Sequence, residues 1–361
     1  MSPWTEAPME LINRNSVFER TQMGTEPIRV DVHNHIYPKV HIDAILKHGG
    51  RKGWTIRKSP KTSADMLYGE RGYPFTLTKS AIDPEYRIKE LDSAGITMQI
   101  VSPSEPWFDF LPTDLECIRL ARSFNNETAR IVEKYPGRFA GLAGLPLNDI
   151  DSAIEETHRA VKDLGMKGVI IPTQVQGERS ISSPEFDRLF EEFDRLSLPV
   201  FIHPTLPVGA ERYREHFLGM IMLYPQQTSI TIAELLFRGS LERFKKTKIM
   251  VADLGGALPL MAGRMFRFYE AIDESRKNLK NPPLDYLKQI YFENGSEFYQ
   301  HAMKCCYDMV GPRKILLGTN HPSPIVAFKD ATKSIELMEV PEEEKAMMRY
   351  LNAKDLFGID I

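Results

Sequence analysis

Residues 28–35 read IRVDVHNH, an apolar run that closes on two histidines spaced two apart. Alternate side chains of a β-strand share a face, so His33 and His35 are expected to project together near the strand's C-terminal end, with Asp31 one step deeper on the same face. Two imidazoles in that spacing form a chelating pair, and Asp31 is placed to orient a ligand or to pack beneath it. An isolated H-x-H is more often a chance occurrence or an ordinary polar strand end. Its meaning depends on what the rest of the chain brings to the same place.

Outward from this stretch the chain repeats one theme: a short Val-, Ile- and Leu-rich run ended by Gly, Pro or a polar residue, then a longer amphipathic stretch. After 28–35 the runs are ITMQIVS (96–102), FAGLAGLP (139–146), KGVIIP (167–172), LPVFIHP (198–204), KIMVADL (248–254), QIYFEN (289–294) and KILLGTN (314–320). Between them the helical spacing is clear. One stretch begins at the capping candidate Thr113, and another places Phe186, Leu189, Phe190 and Phe193 on one face. Eight βα units close most simply into an α/β fold of the TIM-type (β/α)8 barrel kind. An open doubly wound sheet leaves a similar pattern, but only the barrel gathers the ends of strands 1 and 5 to 8 around one mouth. Residues 1–27 read as an irregular arm and 28–361 as a single barrel domain. Insertions are expected at 36–85, where WTIRK and FTLTK would pair as a small hairpin, and at 205–228.

A net charge of −3 gives no broad electrostatic reason to bind nucleic acid or an anionic membrane, so the expected partner is a small molecule. The three cysteines contain no C-x-x-C and are too few for a disulfide framework, which fits a reducing cytoplasm. Neither a signal peptide nor a membrane span of about 18 apolar residues is legible.

The fifth run ends at His203, which a barrel would bring to the mouth shared with His33 and His35. Three imidazoles there would bind Zn, Fe or Mn. Asp253 ends the sixth run before a Gly-Gly turn and Glu293 ends the seventh. Either carboxylate alone is as well explained as a helix cap or loop partner; at a common mouth both become metal-ligand and catalytic candidates. Trp107, after the second run, is either a packing residue or a platform for substrate.

The DVHNH run, the FIHP strand, the DLGGALP turn with Arg264 eleven residues after its aspartate, GTNHPSP and LNAKDLFG together resemble the amidohydrolase-related family typified by aminocarboxymuconate-semialdehyde decarboxylase. The resemblance implies a distorted (β/α)8 barrel and a divalent metal held by the H-x-H pair, a His after strand 5 and an Asp after strand 8. It implies reactions on small, often aromatic or dienoic, carboxylic acids, chiefly decarboxylation. It also implies a homodimer in which an Arg at the Arg264 position reaches the neighbouring site; an ordinary surface ion pair is the alternative for Arg264.

Two positions depart from the family. Where relatives carry His after strand 6 this chain has Asp253, and where they carry Asp after strand 8 it has Asn320. An amide cannot accept a proton from a metal-bound water, so hydrolysis is not expected; Asp253 or Glu293 could replace the carboxylate and His321 the imidazole. Three readings follow. One is a decarboxylase or related lyase, with Arg264 and the other polar groups holding the acid and His321 or Asp253 moving a proton. The second is a non-heme Fe or Fe/Mn oxygenase using His33, His35, His203, Asp253, Glu293 and His321 around one or two ions. The third is a noncatalytic subunit paired with a related chain.

Overall fold

The computed structural model describes residues 27–361 apart from 60–63, 70–73, 177, 296–298 and 324–326. The arm expected over 1–27 therefore lies outside the described residues, except for Pro27.

In chain order the strands are β1 (Val30–His35), β2 (Thr55–Lys58), β3 (Asp65–Tyr68), β4 (Pro74–Thr76), β5 (Met98–Ser102), β6 (Phe139–Gly144), β7 (Gly168–Pro172), β8 (Gln174–Val175), β9 (Arg179–Ser180), β10 (Pro199–His203), β11 (Lys248–Val251), β12 (Tyr291–Glu293) and β13 (Ile315–Leu316). Eight of them, β1, β5, β6, β7, β10, β11, β12 and β13, form one sheet in that order, with parallel pairing. The ends meet: Val32 N–H donates to Leu317 O (2.9 Å), Asn320 N–H to His33 O (2.7 Å) and His35 N–H to His321 O (2.7 Å). The sheet is therefore the expected barrel, with each of the eight strands in one of the eight apolar runs.

Such strands are covered on both faces, which is why they read as near-continuous apolar runs. Val30, Met98, Ile100, Ala140, Leu142, Ile170, Phe201, Met250 and Leu316 fill the interior, while Val101, Val169, Val200 and Val251 pack outward under the helices. Helices of the expected kind lie between the strands. Asp114–Lys134 is capped by Thr113, whose hydroxyl accepts from Glu116 N–H, and Asp187–Leu196 buries Leu189, Phe190 and Phe193.

Two local expectations are corrected. In the first insertion β2 does not pair with β4 as a hairpin; β3 lies between them, antiparallel to both, so the unit is a three-stranded sheet. The second correction concerns β1. Its register against β5 shifts between Asp31 and Asn34, where one extra residue is accommodated as a bulge. The bulge restarts the alternation, so Asp31 does not share the face of His33 and His35. It sides with Gln99, whose amide Nε2 donates to it at 2.6 Å, and with Thr319, whose hydroxyl donates at 2.6 Å and backbone N–H at 3.0 Å. Asp31 thus clips the bulge to the chain following β13.

Candidate metal centre

The bulged end of β1 and the end of β10 bring His33, His35 and His203 into one buried triangle, with ring centroids 5.1, 5.1 and 4.9 Å apart. Each Nδ1 faces an acceptor. His33 Nδ1 lies 2.7 Å from Glu293 Oε1, His35 Nδ1 3.0 Å from Pro103 O, and His203 Nδ1 2.9 Å from Pro204 O. Those acceptors fix the proton on Nδ1 and leave Nε2 as the lone-pair atom in all three rings. The Nε2 atoms of His33 and His35 are buried without any hydrogen-bond partner. Buried polar atoms are rarely left unpaired, and three convergent imidazoles suit a divalent cation, so the donor set fits a metal.

The electrostatics hold two of the three rings neutral and leave His33 the most basic. Burial, followed by the neighbouring histidines, holds His35 well below its ordinary pKa, and burial followed by His33 does the same to His203. Burial opposes protonation of His33 too, but the charge and hydrogen bond of Glu293 outweigh it and raise its pKa.

Glu293, at the end of β12, is fully buried. Its Oε1 also accepts from Asp253 N–H (2.9 Å) and its Oε2 from Gly295 N–H (2.6 Å). A Cβ on Gly318 would stand 1.8 Å from Glu293 Oε2, so only glycine lets the chain after β13 pass behind this carboxylate. Asp253 opens the turn Asp253–Gly255 with φ 53°, a left-handed conformation, and is buried beside the triangle. Among the described residues two groups place potential ligand atoms within 4.8 Å of one another: His33, His35 and His203, and His33, Asp253 and Glu293.

The other sequence candidates divide. Trp107 is buried with its ring centroid 5.7 Å from that of His203, and its indole N–H has no partner. Asn320 follows at the rim with φ 52°. His321 does not join the cluster. It bridges Asn34 in parallel register, and paired residues point to the same face, so His321 shares the outer side of β1 with Asn34. There its Nε2 lies 3.1 Å from Glu90 on the helix Pro84–Ala94, and its ring stacks on Phe328. Arg264 is exposed on the helix Leu258–Ala271 with its guanidinium 5.1 Å from the Phe268 ring centroid, away from this chain's own centre.

Sequence reasoning missed Tyr224, whose ring lies 5.9 Å from His203, because it sits inside the Met-rich LGMIMLYP run, a composition that reads as core or oligomer contact. It also missed the carbonyls of Pro103 and Pro204, which no side-chain pattern marks.

The amidohydrolase family model matches residues 30–359, nearly the whole described barrel. This chain is a member of the amidohydrolase family. A curated relative, 2-amino-3-carboxymuconate-6-semialdehyde decarboxylase of Dictyostelium discoideum, is 27% identical over 336 residues covering 92% of each chain. The gamma-resorcylate decarboxylase of Rhizobium sp. is 26% identical over 292 residues, 76% of this chain and 86% of that one. In fold, this amidohydrolase is similar to the dihydroxybenzoic acid decarboxylase of Polaromonas sp. JS666, solved with manganese and the inhibitor 2-nitroresorcinol. The TM-score is 0.77 at 22% identity, over 92% of this chain and 97% of that one.

Proposed function

We propose that this amidohydrolase is a divalent-metal-dependent decarboxylase of a small aromatic or dienoic carboxylic acid. The observation that carries the reading is the triangle of Nε2 atoms, oriented from behind by Glu293 and two backbone carbonyls, in a chain whose curated relatives are named as decarboxylases. Manganese or zinc fits three imidazoles, and the manganese bound by the Polaromonas enzyme favours the former. Three free cysteines suit a cytoplasmic enzyme, and no described helix is long and apolar enough to cross a membrane.

A bound cation supplies a fixed positive charge that orients the acid's oxygens and steadies the electron-rich species left by CO2. His33, His35 and His203 hold it, and Glu293 keeps His33 in the ligating tautomer. In the reaction the bond between the carboxyl carbon and its neighbour breaks, CO2 departs, and the electron pair left on carbon takes a proton. Asp253 is the group we assign to carry that proton, since it is buried at the triangle while His321 is turned outward. Trp107, against His203, meets the substrate there, and Asn320 offers an amide to its polar groups.

The relatives reported above are named as decarboxylases and lend the oxygenase reading no support; it would need His33, Asp253 and Glu293 to act as a second carboxylate-bearing set. Against a second ion stands Glu293, whose oxygens already accept three hydrogen bonds. One experiment separates these readings and the noncatalytic one. Metal content is measured on protein loaded with Mn, Zn or Fe, and CO2 release and O2 uptake are followed with hydroxybenzoic acids. CO2 release without O2 uptake, at one ion per chain, is expected. O2 consumption with two irons would replace the proposal, and metal binding with neither reaction across the acids would point to the noncatalytic subunit. His203→Ala should abolish tight metal binding; full occupancy in that variant would remove His203 from the centre.

A further inference from the structure

Two aromatic groups beside the triangle carry hydrogen-bond donors that the protein itself leaves unused. The Trp107 indole N–H is buried and has no partner, although its ring lies against His203 at 5.7 Å. The Tyr224 ring also stands beside His203, 5.9 Å away at an interplanar angle of 82°. Among the described residues nothing hydrogen-bonds to the Tyr224 hydroxyl. The backbone is built to present it: Gly219–Leu223 forms a π-helical turn immediately before the helix Tyr224–Phe237. A π turn inserts an extra residue into the helical register and is frequent at functional sites. Leu206 and Ala210 support the ring from behind.

We propose that Tyr224 is a substrate-binding residue, its hydroxyl donating together with the Trp107 indole N–H to an acid-group oxygen of a substrate held beside His203. This rests on the decarboxylase reading above and adds the recognition of the acid group to it. The two donors are neutral, so they hold the oxygen by direction and leave the charge of the acid to the cation. The Tyr224→Phe change keeps the ring and removes only the donor.

The test is binding of 2-nitroresorcinol, whose nitro group mimics a carboxylate, to manganese-loaded protein by calorimetric titration, with metal content and melting temperature measured in parallel. Tyr224→Phe should retain metal and melting temperature and bind the probe about tenfold more weakly, the loss of one hydrogen bond. Trp107→Phe should give a loss of similar size. Binding by Tyr224→Phe within twofold of the parent would overturn the assignment of Tyr224 and leave the decarboxylase reading standing. A parent protein that holds manganese but neither binds the probe nor releases CO2 from any hydroxybenzoate would overturn both.

Discussion

His33 depends on a carboxylate that never needs to touch the metal. Glu293 accepts from His33 Nδ1 at 2.7 Å in a fully buried setting, which fixes the tautomer and makes the ring a better ligand. Glu293→Gln preserves the shape but replaces the anion with an amide that must turn its oxygen towards His33. Metal affinity, measured by competition with a chelator, should fall roughly 10- to 100-fold. An unchanged affinity would mean that the pair only packs. Gly318→Ala tests the same contact from the other side: its methyl has no room 1.8 Å from Glu293 Oε2, so the variant should lose metal together with much of its stability. This layer was only half legible. The H-x-H spacing and the strand-end His203 exposed the ligands, because period-2 alternation and barrel geometry act on side chains that sequence names. The role of Glu293 against His33, 260 positions apart, depends on neighbouring strands coming together and left no local signal.

At the scale of elements, the helix Pro84–Ala94 is the clamp on the outer face of β1. Asp83 caps it, accepting from Glu85 and Tyr86 N–H, and Arg87 enters the interior completely. The Arg87 guanidinium donates to Ser80 O, Asn34 Oδ1, Gln99 Oε1 and His35 O, so it ties the ligand strand to β5. Arg87→Met strands several of these acceptors in the interior and should cost about 3 kcal/mol or more in urea unfolding; a loss under 1 kcal/mol would show that the network is dispensable. The helix Lys39–His48 offers a pH test on a histidine outside the triangle. His41 is buried with Nε2 3.0 Å from Pro106 O, and burial lowers its pKa to about 4. Between that value and the 6.5 of an unfolded histidine, the unfolded chain binds more protons than the folded one. Stability therefore falls as pH drops through this window, by roughly 3 kcal/mol from this residue alone. His41→Gln should be less stable than the parent at pH 7, with the gap closing towards pH 4. A gap that stays constant would mean that His41 is not held neutral. Strand positions were readable because each barrel strand is buried on both faces. The β1 bulge was not, since a one-residue slip in pairing leaves no mark on composition and yet moves Asp31 to the opposite side.

The whole molecule carries an apolar surface that its own core does not use. On the helix Leu258–Ala271, Leu260, Met261 and Phe268 are exposed, Leu260 by 72%, and Arg264 stands among them over the Phe268 ring. The π turn Gly219–Leu223 also exposes Ile221 and Met222, and Pro225, two residues beyond it, lies against Gly256, two residues before that helix, where a Cβ would stand 2.1 Å from Pro225 O. An apolar patch of this kind on a folded chain marks an interaction surface. The occupant we infer is a second copy of this chain, packed about a two-fold axis, because symmetric dimers are the commonest oligomer and the patch surrounds the very Arg264 that the family resemblance assigns to the neighbouring site. In that arrangement the exposed Arg264 would serve the partner's centre. Sedimentation should give a dimer, and Leu260→Glu with Met261→Glu should give a folded monomer that keeps its metal and loses activity. Arg264→Ala should instead remain dimeric and lose substrate affinity. Mixing Arg264→Ala with Asp253→Asn is the decisive form of the test: each single variant is nearly inactive, but a mixed dimer contains one centre with both residues intact. Recovery approaching a quarter of the parental activity per chain is expected after re-association. A monomeric parent protein, or no recovery in proven mixed dimers, would return Arg264 to the surface of a single chain.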